Sequence, residues 1–318
     1  MQRSGLQGPE RLFLGEDIMA IYWISYIWFP FAAWCIFRMI RARLVRVPVT
    51  SLLFLLSLLP FYGRFIEPRL LLVQETTIDL SDGASSAVPV RAVLVADMHI
   101  GQFGHAVSVD RIARKIETIA PDVVFIAGDF TLDASDQQIE AAFRPFARLD
   151  VPVYAVLGNH DVGFPGPDYD GRLERALQAA GIRVLENRAE RLDVREASMV
   201  VAGVSDLWEG RQDFGAVKDV DTSSPLLLLA HNPDTAVRLD GGVSPDLILS
   251  GHTHGGQIRI PRLVQAVIPT GYPFDHGLYD LGYTQVFVTP GTGMTAIPMR
   301  FARPPRIDVL HILTPDGH

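Results

Sequence analysis

The sequence is short of cysteine and of positive charge. Cys35 is the single cysteine among 318 residues. The chain therefore cannot form an intramolecular disulfide or a thiolate metal site, and cysteine usage does not indicate a redox compartment. Lysine and arginine number 28 against 36 acidic residues, a formal net charge of −8. Because nucleic-acid-binding proteins present a basic surface, this balance argues against a nucleic-acid partner.

The charge is unevenly distributed along the chain. Residues 1–72 contain eight arginines, no lysine and four acidic residues, so this part is basic while the remainder is strongly acidic. A basic, apolar head on an acidic body is typical of a membrane anchor followed by a water-soluble domain. We therefore predict an anchor over residues 1–72 and a folded domain over residues 73–318.

Two uncharged apolar runs lie in the predicted anchor. The first, residues 18–37, matches the roughly 20 residues that a helix needs to cross a bilayer. A cleaved signal peptide is the alternative interpretation. However, the run is longer than the apolar core of a signal peptide, and no small-residue cleavage site follows it. The second, residues 47–63, is at the short end of the spanning range. It predicts either a second span or a helix lying in the membrane interface.

The orientation of the domain depends on which of these alternatives holds. Four arginines separate the two runs: Arg38, Arg41, Arg43 and Arg46. Such arginines stay in the cytoplasm. A hairpin of two spans therefore places residues 73–318 outside the cytoplasm, whereas a single span or an interfacial second helix keeps them inside. From run length alone we favour the hairpin and the extracytoplasmic side.

From residue 90 onward, short apolar runs alternate with helical stretches and turns, which is typical of an α/β fold. The helices are predicted over residues 110–119 and 171–180, and residues 81–85 predict a turn or flexible link. Continuous apolar runs of strand length predict six buried strands, over residues 93–96, 123–127, 153–157, 199–204, 226–230 and 247–250.

Residues of the kinds that bind metals follow five of these strands. Asp, Asn or His ends each of the segments AVLVADMH, VVFIAGD, VYAVLGNHD, LLLLAHNP and LILSGHTH. Five of the nine histidines lie directly after such strands: His99, His160, His231, His252 and His254. Because ligands bind at the carboxyl ends of strands in α/β sheets, the pattern predicts one shared site.

The side chains at these ends suit divalent cations. Asp97 and His99 are two residues apart, so both can reach one ion, and His252-x-His254 repeats this spacing. The other candidate ligands are Asp129, Asn159 and His231. Each motif alone is more often part of a turn or a helix cap than of a metal site. Together, carboxylate, amide and imidazole without sulfur favour manganese, iron or zinc.

The ordered motifs DMH, GD, GNHD, AH and GHTH resemble those of the calcineurin-like metallophosphoesterase superfamily. The resemblance covers roughly residue 91 to the C-terminus, and SGHTHGGQIRIP followed by VTPGTG looks most like its bacterial membrane-anchored branch. It implies a four-layer αββα sandwich of two mixed sheets. It also implies a binuclear metal centre whose ions are held by two ligand sets: Asp97, His99, Asp129 and His254, and Asp129, Asn159, His231 and His252.

The resemblance also assigns catalytic residues. His160 takes the position of a residue that contacts the substrate phosphate and assists the leaving oxygen, as an imidazole near neutral pH can. Asp161 is expected to orient His160, an inference from adjacency. Gln257 and Arg259 are candidates for substrate binding and Arg300 for a phosphate contact, although either arginine could instead lie at the surface.

These features predict a phosphoesterase of the bacterial inner membrane, in which two divalent ions activate hydroxide to hydrolyse phosphoester or diphosphate bonds. The anchor favours a phosphorylated, lipid-linked small molecule. Apolar residues after His254, among them Val264, Tyr272 and Phe274, could line an acyl-chain groove or belong to a packed loop. Hydrolysis of UDP-2,3-diacylglucosamine in lipid A synthesis is an alternative that requires a cytoplasmic site. A membrane-tethered binding module without activity is the alternative of another class.

Overall fold

The structure is a computed structural model. It describes residues 20, 22–41, 47–81, 87–101, 103, 107–218, 220, 223–239, 242–262, 264 and 268–315. Parts of three predicted features lie outside the described residues: positions 18, 19 and 21 of the first apolar run, Arg43 and Arg46 between the runs, and positions 82–85 of the predicted link.

Two apolar helices, α1 (Trp28–Arg41) and α2 (Val47–Phe61), precede the sheets. With their extensions they form segments of 20 and 22 residues, Tyr22–Arg41 and Pro48–Arg69, long and apolar enough to cross a membrane. Only 11% and 17% of these segments are buried, so they are not core helices of the domain. The second segment is longer than the run predicted from sequence because helical turns continue past residue 63.

The two helices pack against each other as a hairpin. The indole Nε1 of Trp28 donates a hydrogen bond to the carbonyl of Ser57 at 2.9 Å. The Trp28 ring also packs on the Phe61 ring, with centroids 4.1 Å apart. At the other end of α1, the Ser51 hydroxyl lies 3.3 Å from the Met39 sulfur. These contacts join the start of one helix to the end of the other, as antiparallel packing requires.

Fourteen strands and four further helices follow in the described part of the chain. The helices are α3 (Val109–Ile119), α4 (Asp136–Ala142), α5 (Asp170–Ala179) and α6 (Gly215–Lys218). The strands are β1 (Leu72–Asp79), β2 (Ala87–Val95), β3 (Ile100–Gly101), β4 (Val123–Ala127), β5 (Thr131–Leu132), β6 (Val153–Val156), β7 (Ile182–Val184), β8 (Arg188–Val194), β9 (Ala197–Gly203), β10 (Leu226–Leu229), β11 (Leu247–Ser250), β12 (Gly277–Asp280), β13 (Gln285–Val288) and β14 (Arg306–Pro315).

The strands form two six-stranded mixed sheets and a small two-stranded one. The first sheet has the order β1-β14-β2-β4-β6-β7, with β14 antiparallel to β2 and its other pairs parallel. The second has the order β12-β13-β11-β10-β9-β8, with antiparallel pairs at both edges. Strands β3 and β5 pair beside them. The two mixed sheets confirm the predicted fold class.

Buried apolar side chains fill three spaces, which define four layers. One cluster lies between the sheets and includes Leu94, Phe125 and Leu249. A second joins the first sheet to α3, α4 and α5. A third packs Val217 of α6 and Phe214, which precedes this helix, against the outer face of the second sheet. The core strands are apolar on both faces because both faces of each sheet are covered.

The ends of the helices follow from local chemistry. The Ser108 side chain accepts the backbone N–H of Arg111 and caps the start of α3. Ala120, in the left-handed conformation, caps its other end, so the helix ends at Ile119 as predicted. Ser135 and Gln138 form a capping box at the start of α4, a helix that the sequence did not predict.

Leu94 tests the layer between the sheets, since its side chain is fully buried there. Truncation in Leu94→Ala should lower the free energy of unfolding by about 2–5 kcal/mol, because the rigid sheets cannot collapse onto the cavity. Denaturant unfolding of the detergent-purified protein measures this. The control Leu278→Ala, at a position 41% exposed, should cost less than about 1 kcal/mol. Equal losses in the two variants would contradict the assignment.

Candidate metal centre

The fold brings all seven predicted ligands to one place. Each follows the carboxyl end of a core strand, and all are buried. Strands β2, β4 and β6 are neighbours in the first sheet, and β10 and β11 are neighbours in the second. The site therefore lies where the strand ends of both sheets meet. The ligands after β2, β4, β6, β10 and β11 are Asp97 and His99, Asp129, Asn159, His231, and His252 and His254.

The first group of side chains that could hold a metal ion is Asp97, His99, Asp129 and His254, whose ligand atoms all lie within 4.8 Å of one another. The Nε2 atoms of His99 and His254 face each other at 3.0 Å. Asp129 Oδ2 is 3.5 Å from His99 Nε2, and Asp97 Oδ1 is 3.8 Å from His254 Nε2. Two ligands of one ion, each about 2 Å from it, lie about 3 Å apart. The spacing of this group therefore fits a shared cation.

The second group uses the same aspartate. Asp129, His231 and His252 lie within the same 4.8 Å limit, and Asp129 Oδ2 is 3.2 Å from His231 Nε2. Asn159 joins them, since its Oδ1 is 2.9 Å from His252 Nδ1 and 3.1 Å from His231 Nε2. Both groups match the ligand sets that the family resemblance implies, and Asp129 belongs to both.

The far nitrogens of three histidines are tied to backbone carbonyls. His231 Nδ1 is 2.7 Å from the carbonyl of Ala127, and His252 Nε2 is 3.1 Å from that of Pro269. His99 Nδ1 lies 3.4 Å from the carbonyl of Thr131. A nitrogen facing a carbonyl must carry the proton, so in the neutral ring the other nitrogen offers its lone pair to the site, as in metal-binding histidines. Asp129 outweighs burial and raises the pKa of His231 well above its usual value, so this ring must release a proton to bind a metal.

Burial sets the protonation of most of these groups. It lowers the pKa of His99 to about 3, and it moves the pKa values of His252 and His254 well below their usual range. These imidazoles are therefore neutral, the form that binds metals. Burial also raises the pKa of Asp97 to about 7. The pKa of Asp129 is well below its usual value because nearby histidines, His231 first, outweigh burial.

Five of the seven candidate ligands have left-handed backbone conformations. Their φ angles are 53° for Asp97, 46° for His99, 54° for Asp129, 71° for His252 and 52° for His254. A non-glycine residue pays for this conformation, which persists only where the surroundings impose it. The sharp turns aim successive side chains into one space instead of alternating them across a strand.

Two glycines leave room for the carboxylates. A Cβ atom at Gly158 would collide with Oδ1 of Asp129, and one at Gly251 would lie 2.9 Å from Oδ2 of Asp97. The glycines after His254 have another function. A Cβ at Gly255 would meet the Arg303 side chain, and one at Gly256 would meet Val264. Of the glycines in the segment GHTHGG, Gly251 therefore borders a candidate ligand, whereas Gly255 and Gly256 border neighbouring loops.

His160 lies beside the ligands. It is 6% exposed, its ring meets the His99 ring edge-on with centroids 5.1 Å apart, and its backbone N–H donates to Asp129 Oδ1 at 3.1 Å. Its Nδ1 is buried and has no hydrogen-bond partner among the described residues. The imidazole is thus held near the carboxylate that both ligand groups share.

Asp161 makes its hydrogen bonds away from His160. Its carboxylate accepts the N–H groups of Phe130 at 3.1 Å, Thr131 at 2.9 Å and Gly158 at 3.0 Å, as well as the Thr131 hydroxyl. Burial raises its pKa to about 6. In the described part of the chain, Asp161 makes no hydrogen bond to His160, so the predicted orienting contact has no support. The side chain instead ties the turn after β4 to the turn after β6.

The predicted substrate-binding residues are engaged by the protein itself. The Gln257 carboxamide donates to the carbonyls of Thr295 and Ile297 and accepts the Thr295 N–H. Arg259 pairs with Asp275 at 2.7 Å. Arg300 is fully buried, which excludes the surface alternative for it. Its donors face backbone carbonyls.

The apolar segment after His254 is divided between core and surface. Val264 and Phe274 are 6% and 2% exposed, and Phe274 belongs to the cluster behind the second sheet. These two therefore fit the packed-loop alternative. Tyr272 is 45% exposed and remains accessible.

Three residues near the site do not belong to any of the motifs identified in the sequence. Trp208 packs edge-on against His252, with ring centroids 4.6 Å apart. Asp206 is buried, its pKa is raised to about 6 by burial, and it accepts the Trp208 N–H. Asp206 follows strand β9 as the ligands follow theirs, so the strand-end criterion would have found it. Glu186, which accepts the Leu157 N–H at 2.8 Å at the end of β6, also follows a strand, but the sequence did not predict that strand, β7.

Fold and site together define the class. An α/β sandwich whose strand ends hold buried carboxylate, amide and imidazole donors, without sulfur, is the framework of a metal-dependent hydrolase. Residues 90–256 match the family model described as calcineurin-like phosphoesterase. The chain belongs to this family and is a metal-dependent phosphoester hydrolase.

Related proteins agree with this membership. The chain is 30% identical over 260 residues to the uncharacterized metallophosphoesterase YkuE of Bacillus subtilis, covering 78% of this chain and 87% of that one. It is 31% identical over 214 residues to the phosphodiesterase YaeI of Escherichia coli, covering 65% and 77%. A transmembrane protein with a metallophosphoesterase domain from Danio rerio is 32% identical over 265 residues, covering 79% of this chain and 59% of that relative.

Glu186 holds the end of β6 through the Leu157 N–H, and the pH dependence of protein stability tests its contribution. Burial raises its pKa from 4.5 to about 7. Since the folded pKa lies above the unfolded one, its contribution to stability is present below about pH 4.5 and is lost as the pH rises through 7. Glu186→Gln should therefore be more stable than the wild type at pH 8, by about 1–3 kcal/mol. The two should converge below about pH 4.5, as measured by urea unfolding. The exposed Glu196→Gln should show no such pH dependence, and a constant difference for Glu186→Gln would refute the assignment.

Proposed function

We propose that this chain hydrolyses phosphodiesters with two divalent ions, one in each ligand group, held together by Asp129. The observation that carries this is the membership of Asp129 in both buried groups. A carboxylate with two oxygens can bridge two ions, which is how paired-metal hydrolases hold theirs close together. The relative named as a phosphodiesterase supports the choice of a phosphodiester as the first substrate class to test.

The reaction needs a nucleophile and a proton for the leaving group. When bound, divalent ions polarise a phosphoryl oxygen and lower the pKa of a water, so that hydroxide is available near neutral pH. His160 is the residue placed to donate the proton, because it adjoins both His99 and Asp129 without forming part of either ligand group. Asp161 acts as a positioning residue, since it fixes the two turns that carry Asp129 and His160.

The helical hairpin is proposed to anchor the domain in a bacterial inner membrane. The lengths of the two apolar segments and their exposed surfaces support a hairpin of two spans. Relatives from Danio rerio and Bos taurus that are named as transmembrane proteins support the same association. With the arginine-rich connection in the cytoplasm, the hydrolase domain lies outside it. A phosphorylated substrate in or near the outer leaflet, including a lipid-linked one, is then within reach.

The roles of Asp129 and His160 are separable by experiment. With the full chain in detergent, Asp129→Ala should lose most of its bound metal and its turnover of bis-p-nitrophenyl phosphate with Mn²⁺. His160→Ala should keep two ions per chain and lose about 10²–10⁴-fold in kcat. Metal is counted by elemental mass spectrometry.

The matched control is Asp136→Ala, which removes an exposed carboxylate paired with Arg172. It should keep both metal and turnover. A wild-type protein that binds no metal and turns over neither this diester nor p-nitrophenyl phosphate would instead support the binding module. Loss of metal in His160→Ala would reassign that residue as a ligand.

The side of the membrane follows from the number of spans. Alkaline phosphatase fused to the C-terminus of the full chain should be active in cells, because this enzyme matures only outside the cytoplasm. A green fluorescent protein fused at the same position should stay dark. The reverse pattern would show that only one segment spans, and that the substrate is presented from the cytoplasmic leaflet.

A further inference from the structure

The end of the second apolar segment is joined to the back of the metal centre. We call residues 62–69 the exit turn and residues 290–303 the return loop. Glu67 of the exit turn is 1% exposed, and its carboxylate accepts the backbone N–H groups of Ala302 at 3.0 Å and Arg303 at 2.5 Å. A buried carboxylate that accepts two N–H groups makes strong, charge-assisted bonds. The exit turn therefore holds one end of the return loop.

Gly63 makes a second attachment. Its carbonyl accepts the N–H of Arg300 at 2.9 Å, and a Cβ at this position would lie 2.9 Å from the Arg300 carbonyl oxygen. The two backbones can approach this closely only because Gly63 has no side chain. The first helical segment adds a contact, since the Tyr22 ring stacks on Phe103, which packs with Met294 of the return loop.

Arg300 connects the two ends of the return loop. Its side chain is fully buried and donates to the carbonyls of Pro290 at 2.9 Å, Gly293 at 2.9 Å and Arg303 at 3.1 Å. Burial lowers its pKa to about 10, so the guanidinium stays charged at neutral pH. The planar guanidinium fixes these carbonyls in one arrangement, which an ammonium group would not.

The front of the return loop lies against Asp97. The N–H of Gly293 donates to the Asp97 carbonyl at 2.6 Å, and that of Thr292 to the Ala96 carbonyl at 3.0 Å. A Cβ at Gly291 would collide with the Asp97 carboxylate. Asp97 also has a left-handed backbone, with φ 53°, which its surroundings must maintain. A shift of this loop would therefore move a candidate ligand.

We propose that the exit turn is a positioning element of the metal centre, in which Glu67 and Gly63 hold the return loop and the loop holds Asp97 in its ligand conformation. The inference rests on the proposed two-metal site. It gives the membrane segment a function besides anchoring. It also predicts that a change in the exit turn weakens metal binding at the first ligand group more than at the second, because the first group contains Asp97 and the second does not.

Metal titration of the full chain in lipid nanodiscs tests this. The protein is stripped with EDTA and exchanged into chelator-free buffer, and Mn²⁺ binding is followed by calorimetry and electron paramagnetic resonance. In Glu67→Ala the first site should bind Mn²⁺ about tenfold or more weakly than in the wild type, as for residues that orient metal ligands, while the second site should stay within about twofold. A merely structural role would lower the melting temperature without separating the two affinities.

The matched control is Glu75→Ala. Glu75 lies on β1, close to the exit turn in sequence, but its side chain is 57% exposed and contacts Arg91 and His311. Both affinities should stay as in the wild type. Wild-type affinities in Glu67→Ala, or an equal loss at both sites, would overturn the proposal.

A milder variant covers the case in which Glu67→Ala does not fold. Glu67→Gln keeps one acceptor oxygen for the return loop, so a weakening of about threefold confined to the first site is expected. Unchanged affinity in Glu67→Gln would overturn the proposal. Absence of phosphodiester turnover in the wild type would reject the proposed function, yet the two affinities would still report on the exit turn.

Discussion

The structure depends on keeping two carboxylates, Asp97 and Asp129, buried where the ends of two sheets meet. Taking ionised carboxylates out of water is costly unless cations accompany them. The imidazoles of His99, His252 and His254 are neutral at physiological pH, so they supply no charge. Two groups supply positive charge near Asp97: the imidazole of His231, whose pKa Asp129 raises well above its usual value despite burial, and the guanidinium of Arg300. Divalent ions bound by the carboxylate oxygens and neutral imidazole nitrogens would stabilise this centre further.

The surroundings of the site maintain a backbone that would otherwise relax. Five candidate ligands adopt left-handed conformations, each of which costs free energy that the fold must offset. Asp161 ties the turns after β4 and β6 together, Glu186 accepts the N–H of Leu157, and the return loop covers Asp97. These contacts come from different parts of the chain. The rigidity that fixes the donors is therefore a property of the whole sandwich, not of single motifs.

The strand ends and ligand types could be predicted because apolar runs locate the core strands, and parallel strands bring their carboxyl ends to one edge. The predictions that failed were those that depend on the direction in which a side chain points. Adjacency suggested that Asp161 orients His160, but at a sharp turn successive side chains point to different neighbours, and Asp161 bonds to Phe130, Thr131 and Gly158. No motif in the sequence identified Glu67 or Glu186, because the function of each depends on a hydrogen-bond partner that is distant in sequence. Strand β1 was not predicted either. Its neighbour in the sheet is β14, which lies near the other end of the chain.

The position of Glu67 gives the membrane segment two effects that are easily confused. An anchor raises the local concentration of a membrane substrate wherever it is attached, whereas a segment that supports a ligand changes the centre itself. The family model ends at residue 256, before the return loop and β14, so the parts that join the exit turn to Asp97 lie outside the residues that it matches. Conditions that displace the exit turn should then alter the free energy of metal binding as well as access to substrate. By linkage, occupation of the first site should favour the docked exit turn to the same extent.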